Sequence, residues 1–221
     1  ETFTAAGIGD MSGDVFGNGA LLMRRAKLIA AFDHRHIFLD PDPDPEPAWN
    51  ERRRLFELPA SSWADYDVTR ISAGGDRLGL GPGRVSGYDV VRAILALDVD
   101  LLWNGGIGTY VRASFESNAD AGDRANDAVR IDARALRAKI VAEGGNLGFT
   151  QAARIEASLA GVRINTDAVD NSAGVDLSDH EVNYKILLAP LVRSGRLSAE
   201  ERHRLLFGAS ADACESVLSH N

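Results

Sequence analysis

Three glycines near the start of the chain have a spacing that could hold a diphosphate. Gly7, Gly9 and Gly13 form the pattern Gly-x-Gly-x-x-x-Gly directly after a short strand-like segment, 3–6. The pattern is one residue longer than the common dinucleotide fingerprint. Glycine permits a tight turn and lets the backbone approach a pyrophosphate, because no Cβ stands in the way. A helix that follows would present unpaired N–H groups to the phosphates. In this context we favour a nucleotide site over an ordinary strand-to-helix turn.

A carboxylate at the end of the second predicted strand, 36–39, could bind a ribose. Asp40 follows Gly9 by more than the usual separation of about 20 residues. At a strand end it would accept hydrogen bonds from ribose hydroxyls and repel a 2′-phosphate, so the sequence favours NAD over NADP. Arg35 and the arginine run 52–54 could reverse that preference. The alternative for Asp40 is the start of a solvated acidic loop.

Turns of asparagine and glycine follow two further predicted strands, 99–103 and 139–142. Carboxamides both donate and accept hydrogen bonds, which suits the nicotinamide carboxamide and its ribose. A third asparagine lies in the turn-like segment 170–174. The alternative for each is turn chemistry, since asparagine tolerates a left-handed backbone. The candidates for these contacts are Asn104, Gly105, Gly106, Gly145, Asn146 and Asn171.

Strands alternate with helices along most of the chain. The predicted strands are 3–6, 36–39, 99–103, 139–142 and 162–165, and the predicted helices are 14–29, 86–97, 132–138, 149–160 and those after 179. This order predicts an α/β fold, doubly wound and Rossmann-like, with a mainly parallel sheet, helices on both faces and a C-terminal helical segment. Ligands of such sheets bind beyond the carboxyl ends of the strands, where the polar turns fall.

The domain organisation follows from the same pattern. Residues 1–178 are predicted to form the nucleotide-binding domain, and 179–221 a helical segment that packs on it. The stretch 41–84 is predicted to be an insert, which begins with alternating prolines and acids in 40–47. Because proline fixes φ and removes a donor, that run predicts an extended loop.

Composition restricts the class of protein. The 221 residues carry a formal charge of −8, which argues against nucleic acid as a partner. Apolar runs stay below the roughly 18–20 residues of a membrane helix, so no membrane partner is expected. Cys214, the single cysteine, excludes an internal disulfide and favours a reducing, cytoplasmic setting. The five histidines show no ligand spacing along the sequence, so no metal site is predicted.

Four longer segments resemble the cofactor region of the large bacterial NAD-specific glutamate dehydrogenases. They are 7–19, 101–110, 141–151 and 165–175. The resemblance implies oxidative deamination of L-glutamate to 2-oxoglutarate and ammonia, with NAD accepting the hydride. It also implies an oligomer for the full-length protein.

The resemblance assigns cofactor contacts residue by residue. Asp40 would face the adenosine ribose, and Asn104, Gly105 and Gly106 would flank the middle of the cofactor. Near the nicotinamide the resemblance places Asn146 and Asn171, and Gly145 is a further candidate for cofactor binding. The pyrophosphate turn would be lined by Gly7, Gly9, Ser12, Gly13 and Asp14, and the neighbouring candidates for cofactor binding are Asp10, Met11 and Val15.

The same resemblance implies that the chain is a fragment. Family chains are several times longer and hold their catalytic lysines and aspartate upstream of the cofactor region. The chain starts at Glu1, without Met, and none of Lys27, Lys139 and Lys185 is flanked by glycine. We therefore expect an isolated NAD-binding domain without catalytic residues. The alternatives are a non-catalytic structural or assembly module and the cofactor domain of another amino-acid dehydrogenase.

Overall fold

The computed structural model describes residues 1–10, 15–72, 76–106 and 108–221. Two compact units divide the chain, Glu1–Asp167 and Ala168–Asn221. The first unit contains the strands.

Strands of the first unit form one large sheet and one small one. In chain order they are β1 (Phe3–Ile8), β2 (Ala26–Phe32), β3 (Ile37–Leu39), β4 (Leu101–Asn104), β5 (Val111–Arg112), β6 (Ile131–Asp132) and β7 (Ile140–Glu143). Within the described residues the large sheet has the order β3-β2-β1-β4-β7, and β5 pairs with β6. Pairing is parallel throughout except between β2 and β3. Since β2 and β4 flank β1, the switch point lies at the carboxyl ends of β1 and β4.

Helices connect these strands and form the second unit. They are α1 (Asn18–Leu22), α2 (Pro45–Glu57), α3 (Gly87–Leu95), α4 (Asn118–Ala121), α5 (Gln151–Leu159), α6 (Asp167–Asp170), α7 (Ser178–Arg193), α8 (Ala199–Gly208) and α9 (Ser210–His220). A π-helical turn, Ala173–Leu177, directly precedes α7. Ser86 caps α3 as predicted, with its hydroxyl accepting from the N–H of Asp89.

Apolar side chains cover both faces of the large sheet. Ile8 and Leu102 point into one cluster, where α3 and α5 pack. Leu28 and Ala31 belong to a second cluster, which contains Trp63 and a leucine of α2. Successive residues of a strand face opposite sides, so the two clusters lie on opposite faces. This confirms the α/β class with a mainly parallel sheet, helices on both faces and a helical C-terminal segment.

The predicted helix 14–29 is wrong over most of its length. Among the described residues of this span the only helix is the short α1, and Ala26–Phe32 forms β2 beside the central strand. All but one of the seven residues of β2 are buried. A strand covered on both faces has a continuous apolar run, and here its apolar positions also fit a helical period.

Three other predicted segments differ from the structure in direction, length or type. The strand predicted at 36–39 exists as β3, but it is an antiparallel edge strand. The extended loop predicted at 40–47 ends early, because Pro45 begins α2 at a position where a helix tolerates proline. The helix predicted at 132–138 is only a 3₁₀ turn, Ala133–Ala135.

The last predicted strand, 162–165, is reduced to one bridge beside β7. The N–H of Val141 donates to the carbonyl of Arg163 at 2.9 Å. Arg163 in turn donates to the carbonyl of Lys139 at 3.0 Å. The bridge pairs Ile140 with Arg163 and occupies the outer edge of β7.

Candidate functional site

Three glycine turns meet where β1, β4 and β7 end. A Cβ on Gly9 would lie 3.1 Å from the carbonyl carbon of Gly105, and a Cβ on Gly106 would lie 3.1 Å from Cα of Gly9. A Cβ on Gly145 would overlap the carbonyl oxygen of Gly106. The backbones therefore lie in close contact, which glycine permits and which a side chain at Gly145 would disrupt. The structure brings these four predicted residues together at the switch point.

Backbone hydrogen bonds hold the turns in register. Gly9 donates to the carbonyl of Phe32 at 2.9 Å, and Gly105 donates to that of Ile8 at 2.7 Å. Gly145 donates to the carbonyl of Asn104 at 2.9 Å. These three N–H groups are thus hydrogen-bonded within the sheet. Their glycines allow the turns to approach one another but do not offer these N–H groups to a ligand. Donors to a bound diphosphate would have to come from neighbouring residues.

Of the predicted pyrophosphate residues, Gly7 and Val15 are buried behind the turn. A Cβ on Gly7 would overlap a methyl group of Val15, so this glycine allows the segment after β1 to pack on the strand. Asp10 is exposed and lines a cavity of about 400 Å³ with Asp33, His36 and Trp63. The other predicted members of this turn lie outside the described residues, namely Met11, Ser12, Gly13 and Asp14.

An aspartate that the sequence analysis did not single out follows β2 directly. The Asp33 carboxylate accepts the N–H of Arg35 at 2.7 Å and that of His36 at 2.5 Å. Nδ1 of His36 lies 3.0 Å from its other oxygen. Burial opposes ionisation, but the hydrogen bonds from His36 and Arg35 hold the pKa of Asp33 below its ordinary value. The sequence feature that could have identified Asp33 is its position about 20 residues beyond Gly13, which is the usual separation of a ribose-binding acid from the glycine turn.

Asp33 also borders a second cavity, of about 570 Å³, on the other side of the same turn. This cavity lies between the end of β2 and the start of α3. Its walls include Phe32, Ser86, Tyr88, Tyr110 and Asn126. Burial raises the pKa of the Tyr110 hydroxyl, so that group stays protonated near neutral pH and can donate.

Asp40, the residue predicted to face the ribose, is not brought to this edge. Because β3 runs antiparallel to β2, its carboxyl end returns toward the start of β2, and Asp40 donates its N–H to the carbonyl of Ile29. The carboxylate is 0% exposed and accepts from the N–H and hydroxyl of Ser72, at 2.9 and 2.5 Å. Its charge also acts on the buried guanidinium of Arg52.

Asn104 ends β4 and is 0% exposed. Its side-chain oxygen and nitrogen are buried without a hydrogen-bond partner among the described residues. A Cβ on Gly148 would overlap Nδ2 of Asn104, so the carboxamide packs directly against the turn after β7. A buried carboxamide without a partner is costly, and this suits a position where a ligand supplies the missing contacts.

A buried ion pair supports the turn after β7. The carboxylate of Glu143 is 0% exposed and lies 2.8 Å from Nη2 of Arg154 on α5. It also accepts the N–H of Gly148 at 3.0 Å. Asp167 accepts the N–H of Leu147 at 2.8 Å and lies 3.4 Å from Arg154. Burial raises the pKa of Glu143, and Arg154 opposes that rise.

The same turn exposes two side chains, Asn146 and Leu147. Leu147 has a φ of +58°, in the left-handed region that costs a leucine about 1–2 kcal/mol. The carbonyl of Leu147 accepts the Thr109 hydroxyl at 2.7 Å, and its N–H donates to Asp167. Both backbone polar groups of this residue are therefore held by side chains. Asn171, by contrast, belongs to the second unit, where its Oδ1 accepts the N–H of Gly174 at 3.0 Å.

Glycine turns that meet at the switch point of a mainly parallel α/β sheet are typical of nucleotide-binding proteins. The whole chain, 1–221, matches the sequence model of a family described as bacterial NAD-glutamate dehydrogenase, catalytic domain. The chain therefore belongs to the bacterial NAD-glutamate dehydrogenase family.

Curated relatives extend this match. The chain is 55% identical to the NAD-specific glutamate dehydrogenase of Mycobacterium tuberculosis and 49% identical to that of Pseudomonas aeruginosa. Each alignment covers 100% of this chain and 15% of the relative, so the chain spans about 15% of their length. Among solved structures, a hetero-hexameric glutamate dehydrogenase from Thermus thermophilus, in a Leu-bound form, aligns with 97% of this chain and 40% of its own. That alignment has 14% identity and a TM-score of 0.43.

These comparisons confirm the family that the sequence resembles. They do not support the expectation that the catalytic domain is missing, because the matching family description is that of the catalytic domain. Within the described ranges, each helix is too short or too polar to cross a bilayer.

Proposed function

We propose that the chain forms the NAD-binding part of the catalytic domain of an NAD-dependent glutamate dehydrogenase. That enzyme would convert L-glutamate to 2-oxoglutarate and ammonia. The observation that carries the proposal is the direct contact of the glycine turns at the switch point, in a chain of this family. When bound, NAD supplies the hydride acceptor, and this chain binds and orients it.

The pyrophosphate would lie across the ends of β1 and β4. Gly9, Gly105 and Gly106 keep side chains out of that crevice, and the segment 11–14 would supply the amide donors. The segment leads toward α1, but α1 itself is too short to add much of a dipole. Asp10 would lie beside the same crevice.

For the adenosine ribose we propose Asp33 in place of Asp40. Asp33 follows a strand that runs parallel to β1, so its carboxylate lies at the edge where the glycine turns meet. Asp40 follows the reversed strand and is engaged by Ser72. A carboxylate at Asp33 would accept the ribose hydroxyls and disfavour a 2′-phosphate, which keeps the preference for NAD. The cavities on either side of Asp33 offer space for the adenine.

The nicotinamide end would lie at the turn after β7. Asn146 is exposed there, and the Glu143–Arg154 pair fixes the backbone beneath it. Asn104 would offer its carboxamide from the end of β4. We retain Asn171 as a further candidate from the second unit.

The contacts of the three lysines support a proposal that glutamate binds to other residues of the complete enzyme. All three are described, and each pairs with a carboxylate. Lys27 lies 2.8 Å from Asp42, Lys139 lies 2.7 Å from Asp100, and Lys185 pairs with Glu181. Lys27 and Lys139 are at the amino ends of their strands, opposite the glycine turns. We therefore propose that other residues of the enzyme bind the carboxylates of glutamate.

Calorimetry and thermal unfolding of the 221-residue chain test this proposal. We expect NAD to bind and to raise the melting temperature, because a ligand of the folded state stabilises it. NADP should bind more weakly, and the chain alone should form no NADH from glutamate. An unchanged melting temperature at millimolar NAD would instead favour a structural or assembly module. Formation of NADH by the chain alone would refute the proposal that glutamate binds to other residues of the enzyme.

A further inference from the structure

Three potential metal ligands meet in the second unit, far along the chain from the glycine turns. Asp176, His180 and His220 each place one ligand atom within 4.8 Å of the other two. Nδ1 of His220 lies 2.7 Å from one oxygen of Asp176, and Nε2 of His180 lies 3.6 Å from the other. The imidazole rings of the two histidines stack at an interplanar angle of 19°.

Local structure explains how the three residues converge. Asp176 lies in the π-helical turn and His180 one turn later in α7, so their side chains share one helix face. His220 ends α9, and the side chain of Asn221 donates to the hydroxyl of Ser172 at 3.1 Å. The end of α9 is thereby held against the start of the π-helical turn. Such turns are rare and occur often at functional sites.

The ligand set suits a particular class of ion. Two imidazole nitrogens and one carboxylate oxygen favour Zn²⁺, Ni²⁺, Co²⁺ or Cu²⁺, whereas Mg²⁺ and Ca²⁺ prefer oxygen alone. Ligands around a tetrahedral ion at about 2.1 Å are separated by about 3.4 Å. The two histidine nitrogens lie 2.7 and 3.6 Å from different oxygens of Asp176, and one ligand atom from each residue lies within 4.8 Å of the other two. Side-chain rotations that bring both nitrogens to about 3.4 Å from one oxygen would complete the geometry.

The cluster is also accessible to an ion from solution. The side chains of Asp176, His180 and His220 are 33, 28 and 56% exposed. Their arrangement leaves the outer side open, so water would complete the coordination. The sequence did not indicate this site because His220 lies far along the chain from the other two ligands.

We propose that Asp176, His180 and His220 bind one divalent transition-metal ion. The ion joins the end of α9 to the π-helical turn before α7 and closes a loop of 44 positions. Its role is to stabilise the helices of the second unit, since an ion that binds only the folded arrangement favours that arrangement. The proposal is independent of NAD binding.

Titration of the tag-free, chelator-treated 221-residue chain with Zn²⁺, Ni²⁺ and Co²⁺ tests this site. We expect one ion per chain, a rise in melting temperature, and visible absorption bands with Co²⁺. His180→Ala, His220→Ala and Asp176→Ala should each weaken binding by about 100-fold or more and abolish the rise. His203→Ala is the matched control, because His203 lies on α8 and lines a different cavity of the same unit. It should leave both readouts unchanged.

Folding of each variant is checked by circular dichroism without metal, so that lost binding is not mistaken for lost structure. Imidazole NMR signals of the unsubstituted chain give a readout that needs no variant, and those of His180 and His220 should shift together with Zn²⁺. The proposal is overturned if no stoichiometric binding occurs, or if His203→Ala weakens binding as much as the three ligand variants. It is also overturned if the cluster responds only to protonation, as a simple His–Asp ion pair would.

Discussion

The two ends of the large sheet are built in different ways. At the amino end, side chains join the strands: Asp100 accepts the N–H and hydroxyl of Thr4, at 2.8 and 2.9 Å, and lies 2.7 Å from Nζ of Lys139. At the carboxyl end the backbones of Gly9 and Gly106 touch directly. The strands are thus joined by charged side chains at the amino end, while at the carboxyl end the turns after β1 and β4 meet through glycine backbone, with cavities beside Asp33. In the proposed function, stability and ligand binding would thus depend on opposite ends of one sheet.

Two aspartates show how strand direction decides between those roles. Asp33 and Asp40 each follow a strand of the sheet directly. Because β3 is reversed, only Asp33 reaches the carboxyl end, and Asp40 is buried beside Ser72. Substitutions at the two aspartates and at the two ends of the sheet should therefore differ in their effects on folding and on NAD binding.

Asp40→Ala should have the largest effect, on folding and not on NAD. Asp40 is fully buried near Arg52, whose pKa is lowered by burial, and the negative charge of Asp40 opposes that change. Removing the carboxylate would leave the half-buried N–H and hydroxyl of Ser72 without their acceptor, and each hydrogen bond to a charged group contributes about 1.5–3 kcal/mol to the free energy of unfolding. Urea unfolding measures the loss. Asp42→Ala, which removes an exposed acid of the same segment, should change little. A variant of Asp40 that folds normally but loses NAD would restore the ribose role.

Gly145→Ala should affect both folding and the cofactor. The added methyl group would push the turn after β7 away from Gly106, which costs about 1–3 kcal/mol of unfolding free energy. NAD affinity, measured by calorimetry, should fall below detection because the crevice is distorted. Gly208→Ala is the control, since a Cβ there meets nothing within 4 Å. Unchanged NAD binding by Gly145→Ala would place the cofactor elsewhere.

Asp33→Asn should weaken NAD binding with little change in folding. Asparagine keeps an oxygen for the N–H groups of Arg35 and His36 but loses the charge. A hydrogen bond to a charged group contributes about 1.5–3 kcal/mol, so the dissociation constant should rise by about 10- to 100-fold. Discrimination against NADP should fall in the same calorimetric titrations. Equal affinities for the variant and the unsubstituted chain would exclude Asp33 from the ribose site.

Asp100→Asn should have the smallest effect, confined to acid. The hydrogen bond from Lys139, and then those from Thr4, lower the pKa of Asp100 from 3.8 to about 2. A lowered pKa stabilises the fold fully above 3.8, and the contribution disappears as the pH falls through about 2. The stability difference between the two proteins should therefore be constant above pH ~5 and shrink between pH ~4 and ~2. Urea unfolding across this range measures it, and a difference that persists at pH 2 would contradict the assignment.

Much of the fold could be predicted because its signals are local. The first strand, the turn at Gly9 and the cap at Ser86 depend on neighbouring residues alone. The direction of β3 could not be predicted, since it depends on pairing with β2. β2 was not predicted from the sequence, because the apolar positions of Ala26–Phe32 fit the period of a helix as well as a buried strand.

The candidate site, too, could be predicted only where its residues depend on local sequence. The glycines were found from spacing, but the choice of acid depended on strand direction. Glu143 and Arg154 pair across the gap between β7 and α5, which spacing alone does not reveal. The cluster at His220 required the path of α9 as well.

The bridge at Arg163 has a consequence for how copies of the chain could associate. A sheet grows by adding strands at exposed edges, and such edges also promote aggregation. Here one border has a strand of only three residues, β3, and the other is occupied by the bridge between Ile140 and Arg163. Growth of the sheet from one chain into another is therefore disfavoured. We therefore expect copies of the chain to associate through surfaces other than the two borders of the large sheet.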